Sequence, residues 1–186
     1  GANTSPLQLF YPNGFGGRGN NCPLGNLVDA FEVADGSKFD WNNPAHSTQP
    51  YKNRDPRLHA SILYEGSFVR DLGREDGLKA LDPSNTLQVG VFEKWNSAEN
   101  KKVLVYGLDS RQGPSRAHEA SYTGYYLRKM MDQTIDGWFF SQTIPFRYIR
   151  YAEILFNYAE ACIELGEEAE ARIYLNMIRK RAGMPS

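Results

Sequence analysis

Histidine, methionine and cysteine are all scarce in this chain, with three, four and two copies among 186 residues. Two cysteines, Cys22 and Cys162, cannot frame a disulfide-stapled fold. Cys162 falls in an apolar helical pattern and reads as a small buried residue. Cys22 lies among glycine and asparagine, and the sequence leaves a pairing between the two open. His46, His59 and His118 are scattered without the spacing of a zinc site, so neither a metal nor another cofactor is expected. An excess of one charge is also missing. Lys and Arg number 21 against 22 Asp and Glu, a net charge of −1, which gives no basis for binding nucleic acid. No apolar run reaches the roughly 18–20 residues that span a bilayer. The first residues carry no secretory-leader pattern. The chain begins Gly-Ala-Asn without methionine, which reads as an excised segment, so an anchor or targeting signal could have been cut away with the rest. No G-x-S-x-G elbow and no Cys/His nucleophile pattern occurs.

Aromatic residues, by contrast, are plentiful. Eleven Tyr, ten Phe and three Trp make up 13% of the chain, and many sit in segments without periodicity. Such rings are either pinned into small cores or left open for binding. Apolar residues at 41% and charged residues at 23% are ordinary for a folded domain.

Glycine is clustered. Residues 14–19, GFGGRG, match the G-x-G-x-x-G spacing of a dinucleotide turn, with apolar residues before it and Asp35 beyond. That turn needs a strand running straight into a long helix. Here Pro12 and Asn13 interrupt the approach, and Asn20, Asn21, Cys22 and Pro23 intervene before any helix. The spacing is a coincidence. The segment reads instead as a mobile loop carrying Tyr11, Phe15 and Arg18.

Residues 24–33 suggest a short helix ended by Asp35-Gly36. Residues 38–58 hold three prolines and the turn formers Asn42, Asn43 and Asn53, a long irregular stretch. Leu58, Ala60, Ile62 and Tyr64 alternate as one face of a strand would. Residues 70–100 read as loops and short turns, 101–108 as a second strand, and 121–132 as a strand edge or short helix. A further aromatic knot follows at 136–146. From residue 147 to 165 apolar or small residues recur at Tyr148, Tyr151, Ala152, Leu155, Tyr158, Ala159 and Cys162, the stripe of an amphipathic helix. Gly166 ends it. A second helix over 167–181 starts on glutamates and ends on Arg179, Lys180 and Arg181, matching the helix dipole at both ends. The two helices form an αα-hairpin with tetratricopeptide-like spacing, in which Ala159 and Ala171 permit close approach. One such unit cannot cover its own outer faces. The fold class expected is mainly α with long irregular loops and a few short strands. A loop-rich region is expected over 1–146 and the hairpin over 147–186.

The hairpin's residues resemble those of the SusD/RagB family. The matching positions are Arg150, Tyr151, Ala152, Glu153, Asn157, Tyr158, Ala159, Glu160, Ala161, Leu175, Asn176, Ile178, Arg179, Arg181, Ala182 and Gly183. Upstream, LVDAFEVADG and YKNRDPRLHASILYEG resemble two further signatures of that family, the latter built on Arg54, Asp55 and Arg57. The resemblance covers most of the chain from Pro23 onward. It implies the C-terminal part of a longer protein whose N-terminal part supplies a lipidated cysteine and most of the tetratricopeptide helices. It also implies a surface-exposed outer-membrane lipoprotein of Bacteroidetes that binds glycan without cleaving it. Such proteins pass the glycan to a SusC-like TonB-dependent transporter.

Glycan binding without catalysis needs flat apolar rings with polar groups at their rim. Trp41 has this setting, flanked by Asp40, Asn42 and Asn43. Tyr11 and Phe15 flank Asn13, and Trp95 and Trp138 are further candidates. Asp55, between Arg54 and Arg57 and before Pro56, reads as structural, tying the irregular loop to the strand that follows. Glu153 and Glu160 lie two helical turns apart, about 10.5 Å along the axis, and are expected to pair with Arg or cap backbone rather than act as catalytic acids. DWNNP carries oxygen ligands but falls short of a calcium loop. Asn3-Thr4-Ser5 matches a glycosylation acceptor. Two other functions compete: a tetratricopeptide-type adaptor binding peptides, and, ranked last, a glycan-active enzyme, for which no carboxylate pair is patterned.

Overall fold

The computed structural model describes residues 6–70, 74, 78, 79, 81–129, 131 and 147–186. Among them are five α-helices: α1 (Gly25–Asp29), α2 (Pro44–Ser47), α3 (Pro56–Ser61), α4 (Tyr151–Glu164) and α5 (Glu168–Arg181). The four strands are β1 (Ile62–Leu63), β2 (Val91–Asn96), β3 (Lys101–Tyr106) and β4 (Tyr126–Leu127). The architecture is mainly helical, with long irregular segments and two small antiparallel pairs, β1 with β4 and β2 with β3. The expected aromatic knot at 136–146, with Trp138, and the Asn3 acceptor lie outside the described residues.

Two compact units interleave along the chain. The first comprises Gly1–Val28 and His59–Ile144, the second Asp29–Leu58 and Pro145–Ser186. Residues 29–58 therefore fold with the C-terminal helices rather than with the sequence on either side of them.

The first unit is built round an apolar cluster of Phe15, Leu63, Val69, Leu87 and Tyr126. Set into it is a buried polar knot. Arg74, fully buried, gives Nη1 to Asp109 Oδ1 at 2.7 Å, Nη2 to Oδ2 at 2.9 Å, and Nε to Asp82 Oδ2 at 2.6 Å. Its guanidinium also lies 4.4 Å from the centre of the Phe15 ring. The Gln88 N–H donates to Asp109 at 2.8 Å. Burial pushes the Asp109 carboxyl above its ordinary value, while Arg74 and the N–H groups of Gln88 and Gly14 oppose that push. The Tyr126 hydroxyl accepts from Ser121 N–H and lies 2.7 Å from Asn13 Oδ1 and 2.9 Å from the Asp109 carbonyl oxygen. Burial holds its phenol well above the usual value.

The glycine run belongs to this knot, which corrects the expectation of a mobile loop. Residues 11–17 are all buried, and Asn13–Phe15 is a turn of 3-10 helix. A Cβ on Gly14 would overlap the Asp109 carboxylate and Arg74, and one on Gly17 would overlap the Tyr11 backbone. Close backbone approach requires glycine at both positions.

The expected strand over 58–64 is instead the end of α3 followed by β1. Asp55 accepts the Arg57 N–H at 2.8 Å and Pro56 occupies the first helical position, two strong start signals. Ala60 is exposed while Ile62 and Leu63 are both buried, so the apparent alternation had no strand behind it. Strand β2 was not anticipated in the 70–100 stretch. Strand β4 decides the open choice at 121–132 as a strand, two residues long.

In the second unit α4 and α5 pack through Ala159, Cys162 and Ala171, with Tyr174 and Leu175 alongside. The rings of Tyr158 and Tyr174 meet edge to face at 4.6 Å. Gly166 turns the chain with φ 78°. Both Cys22 and Cys162 are free thiols, Cys162 buried as expected. The stripe expected along α4 is buried only in part, at Leu155, Ala159 and Cys162, whereas Tyr148, Tyr151 and Tyr158 remain exposed.

Candidate functional site

The arrangement best suited to a ligand lies in the second unit, in residues 29–58. The helix expected over 24–33 stops at Asp29, and tertiary hydrogen bonds replace helical ones beyond it. The Phe31 carbonyl accepts from Arg54 Nη2 at 2.7 Å, the Glu32 carbonyl from Asp55 N–H at 2.8 Å, and Val33 bridges to Arg54. Arg54 is 4% exposed. Its Nη1 donates to the Pro50 carbonyl at 2.7 Å, holding the 49–53 turn, and its guanidinium lies 3.9 Å from the centre of the Phe39 ring.

Phe39 is the hub of an aromatic cluster. Trp41 meets it edge-on, with ring centres 5.0 Å apart at 88°, and His46 stacks on it at 5.6 Å and 22°. His46 is placed by α2, which begins on Pro44 and is capped by Asn43 Oδ1 accepting from Ala45 N–H at 3.0 Å. The His46 Nδ1 accepts from Asp40 N–H at 3.2 Å. Trp41 Nε1 lies 3.1 Å from each carboxylate oxygen of Asp29. This fixes the indole while leaving Trp41 48% exposed. Asn42 beside it is exposed, its N–H bonded to Asp40 Oδ1 at 2.8 Å.

A cavity of about 540 Å³ opens against this cluster. Its apolar wall is Val33, Phe39, Pro44 and Ala45; its polar groups include Gln49 and Asn53, with Lys52, Arg54 and His46 as basic ones. A volume of this size lies within the range of small-molecule sites, and the mixture of one apolar wall with a few polar groups is their usual chemistry.

The remaining expected residues fall elsewhere. Tyr11 and Phe15 are both fully buried in the first unit, so neither ring has a face to offer a sugar. Their placement beside asparagine and glycine looked like a loop rim because the buried polar knot, which absorbs those groups, is formed by residues a hundred positions away. Trp95 is on β2 in the first unit, 56% exposed and opposite Lys102, whereas the Trp41 cluster belongs to the second. Phe39, Gln49, Lys52 and Asp29 were not singled out from sequence, and His46 was weighed only as a metal ligand. The Asn-Pro start of α2 and a second ring two residues from Trp41 were the available signals.

The family-motif residues hold the unit together. Asp55, its side chain 2% exposed, takes Arg57 Nε at 3.0 and 2.9 Å and Nη2 at 2.5 Å. Its carboxyl is lowered from the ordinary value: burial raises it, and the Arg57 hydrogen bonds and charge outweigh that. It caps a helix, not the strand expected. Arg179 on α5 pairs with Glu32 at 2.7 Å and donates to the Pro185 carbonyl at 2.7 Å. Arg150 precedes α4 as its N-cap residue, Tyr151 and Asn157 are exposed, and Asn176 is half-buried. Glu153 and Glu160 are exposed and form no ion pair among the described residues, so of the two roles expected, pairing with Arg is not seen there. Among the described residues no group of three or more His, Cys, Asp or Glu side chains is placed to hold a metal ion.

A family model described as SusD family matches residues 2–186. The chain belongs to the SusD family. Two solved structures from Bacteroides fragilis NCTC 9343 are similar to it. One is a SusD-like protein, 25% identical, with a TM-score of 0.59, matched over 98% of this chain and 33% of its own. The other is a SusD-like carbohydrate binding protein, 23% identical, with a TM-score of 0.64, matched over 96% of this chain and 31% of its own. This SusD-family chain thus spans about a third of the length of the structures it matches. No curated protein sequence matches it.

Proposed function

We propose that this SusD-family chain contributes to a surface glycan-binding protein that binds oligo- or polysaccharide without cleaving it. The glycan then passes to a SusC-like TonB-dependent transporter in the outer membrane. One observation carries the reading: a half-exposed indole, Trp41, oriented by the Asp29 carboxylate, stands on a ring that lines a cavity with polar side chains. A sugar's CH face stacks on such a ring, and Asn42, Gln49 and Asn53 supply amides for its hydroxyls. The family membership supports the reading, and one solved relative is described as carbohydrate binding.

Titration calorimetry with a panel of plant, host and microbial oligosaccharides tests it, with Trp41→Ala alongside. An indole buries about 150–250 Å² when covered. With 48% of Trp41 open and roughly half of that covered by a sugar, the stack removes about 50 Å² from water. At about 25 cal/mol per Å² this is about 1.2 kcal/mol, or close to tenfold in affinity. A Trp41→Ala protein with unchanged melting temperature and unchanged affinity would move the site away from this cluster.

A further inference from the structure

The cavity beside Phe39 has a charge character that names its ligand more closely. Its lining contains the cations Lys52 and Arg54 and the titratable His46, but no carboxylate. Asp29, Asp35 and Asp40 lie outside the lining and accept hydrogen bonds from neutral donors, though Asp35 acts electrostatically on His46. Asp29 holds the Trp41 indole. Asp35 accepts from Ser37 N–H at 2.8 Å and Ser37 Oγ at 2.7 Å. Asp40 accepts from Asn42 N–H and Nδ2. Lys52 is exposed, and among the described residues its ammonium has no ion-pair partner.

Hydrogen bonds hold the backbone of the turn that carries Lys52. Lys52 N–H closes on the Gln49 carbonyl at 3.0 Å, Asn53 follows with φ 53°, and Arg54 anchors the Pro50 carbonyl from beneath. Gln49 and Asn53, on the same turn, line the cavity together with Lys52. Lys52 thus brings an exposed charge, on a flexible stem, to a cavity that Gln49, Asn53 and Phe39 also line. A neutral sugar would use the wall and the amides and leave the positive charge without a counterpart. An anionic substituent would supply that counterpart, and a cation in a partly enclosed site attracts it more strongly than one on an open surface.

Resting on the glycan reading above, the geometry points to a glycan carrying an anionic substituent, a uronate carboxylate or a sulfate ester, as the ligand of this cavity, with Lys52 as its counter-charge. The experiment titrates the full chain with a uronate oligosaccharide and its carboxyl-reduced neutral counterpart, and with a sulfated oligosaccharide and its desulfated counterpart. Each pair is repeated on Lys52→Gln, which keeps the stem and removes the charge, and on Trp41→Ala. The expected result is roughly tenfold tighter binding of the anionic member of one pair. That pair identifies the substituent. The preference shrinks at least threefold in Lys52→Gln and in 0.5 M salt, as an ionic contact requires. Equal binding of both members in both pairs overturns the inference and leaves glycan binding standing. A preference that Lys52→Gln leaves intact also overturns it, since the charge read is then another. If no glycan in either pair binds, the glycan reading falls and this inference with it.

Discussion

Gly14→Ala puts the largest strain on the structure for the smallest chemical change. The new methyl would occupy the space of the Asp109 carboxylate and Arg74 Nη1, both fully buried. Neither group has room to retreat. Arg74 is packed over Phe15, tied to Asp82 at 2.6 Å and bonded to the Thr86 carbonyl, while Asp109 is also fixed by Gln88 N–H. If the methyl parts the pair, one buried charge loses its partner, a cost of about 3–5 kcal/mol. If the backbone shifts instead, the cost is that of overpacking, about 1–3 kcal/mol. For a chain of this length each kcal/mol lowers the melting temperature by roughly 2–4 °C, so the parted pair predicts a fall of roughly 6–20 °C. Gly25→Ala is the control, because nothing lies within 4 Å of a Cβ there and its φ is not positive. It should stay within about 0.5 kcal/mol of the parent. Thermal and urea unfolding followed by circular dichroism measure both. If Gly14→Ala melts with Gly25→Ala, the glycine run is not the packed element described here.

Other perturbations test separate links. Asp55→Ala removes a cap and the partner of Arg57, and should cost about 1–2 kcal/mol in urea unfolding with no selective loss of glycan affinity; a stable variant that had lost only binding would contradict the structural role. The Asp55 carboxyl is held below its ordinary value, so its contribution is present above the unfolded value of about 3.9 and is lost as pH falls through the lower folded value. The stability gap between parent and Asp55→Ala should therefore be constant from pH 7 to 5 and close below about pH 4; a gap that instead widened in acid would reverse the sign. Tyr126→Phe leaves the Asn13 side chain and the Ser121 N–H short of a buried partner and should cost about 1–3 kcal/mol. The intact Tyr126 phenol should stay un-ionised above the ordinary tyrosine value of about 10, which ultraviolet difference spectra of parent against Tyr126→Phe would show. Asp29→Ala frees the Trp41 indole and should weaken glycan binding less than Trp41→Ala, with melting unchanged; a loss equal to that of Trp41→Ala would put Asp29 on the ligand itself.

Local pattern made the terminal hairpin legible. Periodic apolar positions, glutamates at the start of α5, basic residues at its end and Gly166 between the helices are all short-range signals, and they placed both helices to within a few residues. The motif residues that carried the family resemblance lie in or next to those helices, in 27–36 and in 51–66, where Asp55 and Arg57 interact two positions apart. Trp41 and Asn42 were also visible, as a ring with amide neighbours in an irregular stretch. Tyr11 and Phe15 had the same local appearance and proved to be core. Their surroundings are set by Asp109, Ser115 and Tyr126, about a hundred residues away, and no local window contains that information. The apparent strand at 58–64 failed for a related reason: the cap at Asp55 and the proline after it outweighed an alternation that four residues produced by chance.

The sequence by itself determined the helical hairpin, the membership in a family of recurring motifs, and the near-neutral charge. Each of these is written in neighbouring residues or in totals. Only the tertiary structure decided which aromatic rings are open, because exposure depends on what distant segments bring. It made the glycine run a buried contact with the Arg74–Asp109 pair. It also brought Asp29, Trp41 and Phe39 together through hydrogen bonds and a ring contact, and set Phe39 and Lys52 on one cavity, none of which the order of residues contains.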